Sequence, residues 1–207
     1  MKTKKNYLII GLTGGIASGK STAVKIFGRL GAKIIDSDKI SRDIVKPKSK
    51  IWKKIIKCLG PDVLGKNKTI NRKKLGHLVF NNPSKRRVLE KITHPEIIRQ
   101  ITKRIEKIKD SGNNSIIIVD APLLFEAKLD KITDKTIVVW CPRKCQVQRL
   151  KARNKLNNTE INNRLRSQIP LNRKKRMADF VIDNSGKNKK MIQKQIRILW
   201  ENLSNRI

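Results

Sequence analysis

Residues 14–22 read GGIASGKST, a run whose residue types and spacing suit the binding of phosphate. Gly14, four free positions, then Gly19, Lys20 and Ser21 satisfy G-x-x-x-x-G-K-[ST], and Leu8, Ile9 and Ile10 supply the strand that must precede it. In this reading the backbone amides of Gly14, Gly15, Ile16, Ala17, Ser18 and Gly19 turn inward around the phosphates of a nucleotide. Lys20 reaches the β- and γ-phosphates, the Ser21 hydroxyl is a ligand for Mg²⁺, and Thr22 closes the stretch. The plainer alternative is a glycine-rich turn between a strand and a helix.

Two further sets of side chains could take part. Asp36 and Asp38 stand two apart at the end of a short apolar run, and Asp120 and Glu126 follow another. A strand-end carboxylate can hold Mg²⁺ directly or through water, can act on a hydroxyl, or can simply cap the next helix. Arg149 and Arg153 are i,i+4 on one polar helical stretch, and Arg164 and Gln168 share the spacing on the next, which Pro170 ends. Such arginines are commonly solvated surface. The sharper reading is a mobile flap that brings guanidinium groups to transferring phosphates, a task that suits Arg better than Lys.

The elements that position these groups follow from periodicity. After the loop, Ala23, Ile26, Phe27 and Leu30 recur at helical spacing, so the loop opens a helix whose N-terminus favours anions, and Gly31 ends it. Apolar runs at 33–36, 115–120 and 136–141 and a last one at 178–184 read as buried strands, and their alternation with helices implies a mainly parallel, five-stranded sheet. Ligands of such sheets sit outside the carboxyl ends of the strands, where Asp36, Asp38 and Asp120 fall. Residues 47–111 read as helices broken at Pro47, Gly60-Pro61, Gly65 and Asn81-Asn82-Pro83, the last of them disturbed at Pro95. His94, next to that proline, is read either as a phosphate contact or as the cap of a broken turn. Residues 189–203 close the chain with an amphipathic helix.

Composition narrows the class. A chain of 207 residues suits one domain with a sizeable core. Its net charge of +34 raises nucleic acid, anionic membrane or a phosphorylated substrate as partners. The lysines are spread along the whole chain with many Asn and Ile, so a bias in residue usage explains them and no specific nucleic acid is expected; the few aromatics offer little for bases to stack on. The apolar run at the N-terminus ends at Thr13-Gly14-Gly15, too short for a signal peptide, and nothing approaches a membrane span. Three cysteines without a C-x-x-C pair fit a reduced, cytoplasmic protein, and a monomer is the expected state.

Together the segments GLTGGIASGKST (11–22), IIDSDKISR (34–42), THP (93–95), APLLFE (121–126) and ADFVIDNSG (178–186) resemble the dephospho-coenzyme A kinase family over essentially the whole chain. The family usually reads G-G-I-G-S-G-K and D-A-D where this chain has Ala17 and Ser37. The resemblance implies an α/β P-loop kinase fold, a single domain over 7–206 with core 7–38, 112–142 and 178–206, a helical substrate-binding insertion at 39–111 and a helical lid at 143–177. It implies ATP-dependent phosphorylation of the ribose 3′-hydroxyl of dephospho-coenzyme A, with ATP and Mg²⁺ as cofactors. Lys20, Asp38 and Arg149 are then the candidate catalytic groups. Asp36, Arg42, His94, Arg153 and Arg164 are the candidate substrate contacts, with the division of labour between Asp36 and Asp38 left open. Another small-molecule P-loop kinase and a basic nucleic-acid-binding ATPase are the alternatives.

Overall fold

The apolar run that precedes the glycines forms strand β1 (Tyr7–Gly14), which extends four residues past the isoleucines because Thr13 and Gly14 still find partners in Val138 and Val139. The computed structural model describes residues 6–111, 115–154, 157–186, 188–205 and 207. Strand β1 lies centrally, flanked by β3 (Ser115–Asp120) and β4 (Lys135–Trp140). Beyond these lie β2 (Lys33–Asp36) and β5 (Phe180–Asp183), giving the order β2-β3-β1-β4-β5. Every pairing is parallel, as the strand–helix alternation requires.

Burial on both faces explains the unbroken apolar runs. Ile10, Leu12, Ile116, Ile118, Ile137, Val139 and Ile182 point to one face. There they meet Ala23 and Phe27 of α1 (Lys20–Arg29) and Ile192, Ile196 and Leu203 of α9 (Lys189–Ser204). Residues of the alternate parity, among them Ile9, Ile117, Val119 and Val138, are buried on the other face. There Val138 packs with Cys141 and with Leu171 of α8 (Leu171–Met177).

The chain forms two compact units, one of residues 1–36 with 105–207 and the other of Ser37–Arg104. In the first, α6 (Arg143–Asn154) and α7 (Asn158–Arg166) precede α8; the Asn157 side chain and Glu160 cap α7 reciprocally. Helix α7 ends at Arg166 with Ser167 as its cap, before Gln168, so Arg164 and Gln168 do not share a helical face as their spacing suggests.

The second unit is helical. It holds α2 (Ser37–Asp43), α3 (Lys50–Leu59), α4 (Arg72–Asn81) and all but the last residues of α5 (Pro83–Lys109). The helices start where capping chemistry allows: Ser49 Oγ accepts from Trp52 N at 3.1 Å, and Asn71 Oδ1 accepts from Lys73 N at 3.0 Å. Helix α5 is the long helix expected here, and it continues through Pro95. A proline removes from the ladder only the one N–H that would reach the carbonyl four residues earlier. Among the described residues no helix is long and apolar enough to cross a membrane.

Candidate functional site

Between β1 and α1 the chain turns back on itself, with Ser18 N donating to the Gly15 carbonyl at 3.0 Å. Glycine is needed at both ends of the loop for different reasons. A Cβ on Gly14 would lie 2.5 Å from Ser18 Oγ and 3.0 Å from the Val139 carbonyl. Gly19 has φ +99° and precedes the first residue of α1, so its left-handed backbone aims the helix N-terminus into the turn. Ala17 is also left-handed, with φ 60°. Ser18 is wholly buried, and its hydroxyl has no hydrogen-bond partner among the described residues. A buried orphan hydroxyl inside such a turn is what a phosphate oxygen would satisfy.

At the carboxyl edge of the sheet, the Lys20 ammonium pairs with the Asp120 carboxylate, both side chains being about seven-eighths withdrawn from solvent. Asp120 lies beside Leu12 on one side and Asp36 on the other, so two strand-end carboxylates are register neighbours. Ser21 and Thr22 are exposed on the first turn of α1. Among the described residues no three His, Cys, Asp or Glu side chains gather into a metal cage. Magnesium in phosphate sites needs none, being held by one or two protein oxygens, water and the phosphates themselves. The hard oxygen donors of Ser21, Asp36 and Asp120 suit it.

The loop is held from behind by side chains far away in sequence. Gln146 Nε2 donates to the Ile16 carbonyl at 2.7 Å. Arg149 Nη1 donates to the Ala17 and Ser18 carbonyls, each at 3.3 Å, and its Nη2 to the Asn184 carbonyl at 2.8 Å. Asn184 Nδ2 donates to the Ser18 carbonyl at 2.7 Å. With the carbonyls of Ile16, Ala17 and Ser18 engaged by these side chains, the loop's backbone is fixed from outside. Sequence reasoning singled out Arg149 but missed Gln146 and Asn184. The signals were present: Gln146 is i,i−3 from Arg149, and Asn184 lies within the ADFVIDNSG segment.

A second ion pair lies on the same unit. Lys174 is fully buried; its Nζ donates to the Pro122 carbonyl at 2.6 Å and meets Glu126 Oε1 at 2.8 Å. Burial holds the Lys174 pKa below the usual lysine range, against the raising effect of Glu126, while the Lys20 ammonium adds a like-charge push in the same downward direction.

The remaining expected residues are placed as follows. Asp36 is half-buried at the end of β2. Asp38 and Arg42 are exposed on α2 of the helical unit. His94 is half-buried within the unbroken α5, so there is no interrupted turn for it to cap; burial lowers its pKa, with Glu90 opposing. Arg164 is exposed on the last turn of α7. The Arg153 side chain lies outside the described residues. The helical unit also contains a cavity of about 310 Å³ lined by Asp43, Lys50, Glu96, Arg99, Gln100 and Arg104 among others. Arg99 and Gln100 hydrogen bonds pull the Glu96 pKa down to about 2.

A parallel five-stranded sheet, a glycine loop opening a helix, and a lysine and carboxylates at the sheet's carboxyl edge define a P-loop kinase. The fold of shikimate kinase from Acinetobacter baumannii agrees, with a TM-score of 0.51 at 17% identity over 98% of this chain and 97% of that one. The dephospho-CoA kinase family profile matches residues 8–190, and the chain belongs to that family. It is 48% identical over 178 residues to the dephospho-CoA kinase of Carboxydothermus hydrogenoformans, covering 86% of each chain. The solved dephospho-CoA kinase from Campylobacter jejuni superposes with a TM-score of 0.70 at 31% identity, covering 96% of this chain and 98% of that one.

Proposed function

We propose that this enzyme transfers the γ-phosphoryl group of ATP to the ribose 3′-hydroxyl of dephospho-coenzyme A, giving coenzyme A and ADP, the last step of coenzyme A biosynthesis, in the cytoplasm and as a monomer. The observation that carries the reading is the family match across 8–190 joined to a phosphate loop whose carbonyls are tied back by Gln146, Arg149 and Asn184.

In this reading the amides of residues 14–20 and the Ser18 hydroxyl receive the ATP phosphates. Lys20 exchanges Asp120 for the β,γ oxygens, where charge grows as the bond to ADP breaks. Mg²⁺, held by Ser21 with Asp36 or Asp120 reached directly or through water, supplies further charge neutralisation. Asp38 orients the 3′-hydroxyl and accepts its proton as the oxygen bonds to the γ-phosphorus. Arg149 holds the loop's shape and adds positive charge beside it. Residues 39–111 serve as the acceptor-binding insertion, with Arg42 and His94 as contacts. Residues 143–177 serve as the lid, with Arg153 and Arg164 as its further cations.

A coupled assay of ADP release, run with and without dephospho-coenzyme A, tests the reaction. Acceptor-dependent release is expected; release stimulated by nucleic acid would favour a nucleic-acid-dependent ATPase, and release on a nucleoside or shikimate-like acceptor another small-molecule kinase. Asp38→Asn should cut kcat at least ~100-fold with ATP binding retained; unchanged turnover removes Asp38 from the mechanism.

A further inference from the structure

Helix α8 carries the basic run Arg173, Lys174, Lys175, Arg176, of which three are exposed and Lys174 alone is wholly buried. Its inward position, i,i+3 from Leu171, is one an apolar residue ordinarily fills. A buried ion pair contributes little net stability relative to well-packed apolar residues of the same size, so the presence of this pair calls for another explanation.

The contacts supply one. Lys174 Nζ donates to the Pro122 carbonyl at 2.6 Å, and that carbonyl also accepts from Thr13 Oγ1 at 3.2 Å, at the end of β1 just before the phosphate loop. Lys174 meets Glu126 Oε1 at 2.8 Å, and the same oxygen accepts from Ile169 N at 2.9 Å. One ammonium therefore ties three stretches together: the strand that enters the phosphate loop, the turn that follows Asp120, and the segment leading into α8. Two residues before that turn's Pro122, Asp120 holds Lys20. The 143–177 stretch that carries Ile169 also carries Gln146 and Arg149, which donate to the loop carbonyls of Ile16 and Ala17. Glu126 Oε2, buried and without a hydrogen-bond partner among the described residues, shows that the carboxylate is placed for the clamp at a cost to its own solvation.

We propose that Lys174, through Glu126 and Pro122, is a positioning residue for phosphoryl transfer that sets the Asp120 turn and the 143–177 segment in register with the phosphate loop. This rests on the kinase reading given above.

The test uses full-length Lys174→Met, Glu126→Gln, Lys174→Arg and the double variant Lys174→Met/Glu126→Leu, each compared with wild type by hydrogen exchange, thermal unfolding and steady-state kinetics. In Lys174→Met and Glu126→Gln, amides of residues 123–126 and 169 should exchange faster. The kcat with dephospho-coenzyme A should fall ~10- to 100-fold, since small misplacements of reacting groups cost about that much, while KM for ATP changes less than about threefold. Lys174→Arg should recover part of kcat. The apolar double variant should regain thermal stability without regaining turnover, an outcome a merely structural pair would not give. A folded Lys174→Met enzyme with kcat within about twofold of wild type, or unchanged exchange in both segments, overturns the proposal. If wild type itself shows no acceptor-dependent ADP release, the kinase reading fails, and the exchange data still decide whether the clamp exists.

Discussion

Asn184 and Gly19 are fitted to one another: the Asn184 amide nitrogen, donating to the Ser18 carbonyl at 2.7 Å, stands 2.0 Å from where a Cβ on Gly19 would be. The glycine is therefore required twice, for its φ of +99° and for the space its missing side chain leaves to the amide that shapes the loop. Gly19→Ala should lose about 2–5 kcal/mol of stability, the sum of a left-handed alanine and an overpacked contact, and bind ATP weakly. Chemical denaturation and nucleotide titration read the two effects separately.

The guanidinium of Arg149 serves three carbonyls from two nitrogens, a geometry that a single ammonium lacks. Arg149→Lys keeps the charge and should still lose at least ~10-fold in kcat/KM for ATP, because bonds to a charged donor of this kind contribute about 1.5–3 kcal/mol each. Activity equal to wild type would show that charge alone suffices.

Ala17 holds a left-handed backbone, φ 60°. Glycine there relieves a strain of about 1–2 kcal/mol and adds about 0.4–1 kcal/mol of unfolded-chain entropy, so Ala17→Gly should raise stability by up to about 1.6 kcal/mol. Urea unfolding midpoints of the two proteins decide it.

Glu96 has its folded pKa lowered from the ordinary 4.5 to about 2, chiefly by its hydrogen bond from Arg99 and next by that from Gln100. A depressed acid stabilises the fold above its unfolded pKa and loses that contribution as pH falls through the folded one, here between about 4.5 and 2. Arg99 is largely exposed, so screening limits the effect to about 1 kcal/mol or less. Glu96→Gln should be less stable than wild type at pH 6, with the gap closing toward pH 2 in parallel denaturation curves.

Burial pushes the Cys141 thiol up to about 11, whereas Cys58 is exposed. Iodoacetamide at pH 8 should modify Cys58 first and Cys141 only on unfolding, since the thiolate is the reacting form. Peptide mapping by mass spectrometry gives the order.

Much of this architecture is legible in the chain. The strand runs are apolar on both faces, so Lys33–Asp36 and Ser115–Asp120 fall where periodicity puts them, and the glycine spacing announces the loop. Local rules fail at particular points. Pro95 does not interrupt α5, and Gln168 falls beyond the end of α7. Lys174 is indistinguishable in sequence from its solvated neighbours Arg173 and Lys175, because what buries it is a turn some fifty residues earlier. Gln146 and Asn184 carry no motif spacing relative to the loop they support; only the fold brings them there. Arg149 was visible as a cation on a helix, but not as a donor to loop carbonyls, since spacing says nothing of which groups a long side chain will reach.

The bond from Asn184 to Ser18 spans 166 residues. On a ribosome, which delivers residues from the N-terminus onward, the phosphate loop precedes this partner by that length and acquires its support only when Asn184, after β5, has emerged. Long-range closures of this kind form late. The final geometry of the phosphate loop is thus set only once β5 and the residue after it are in place.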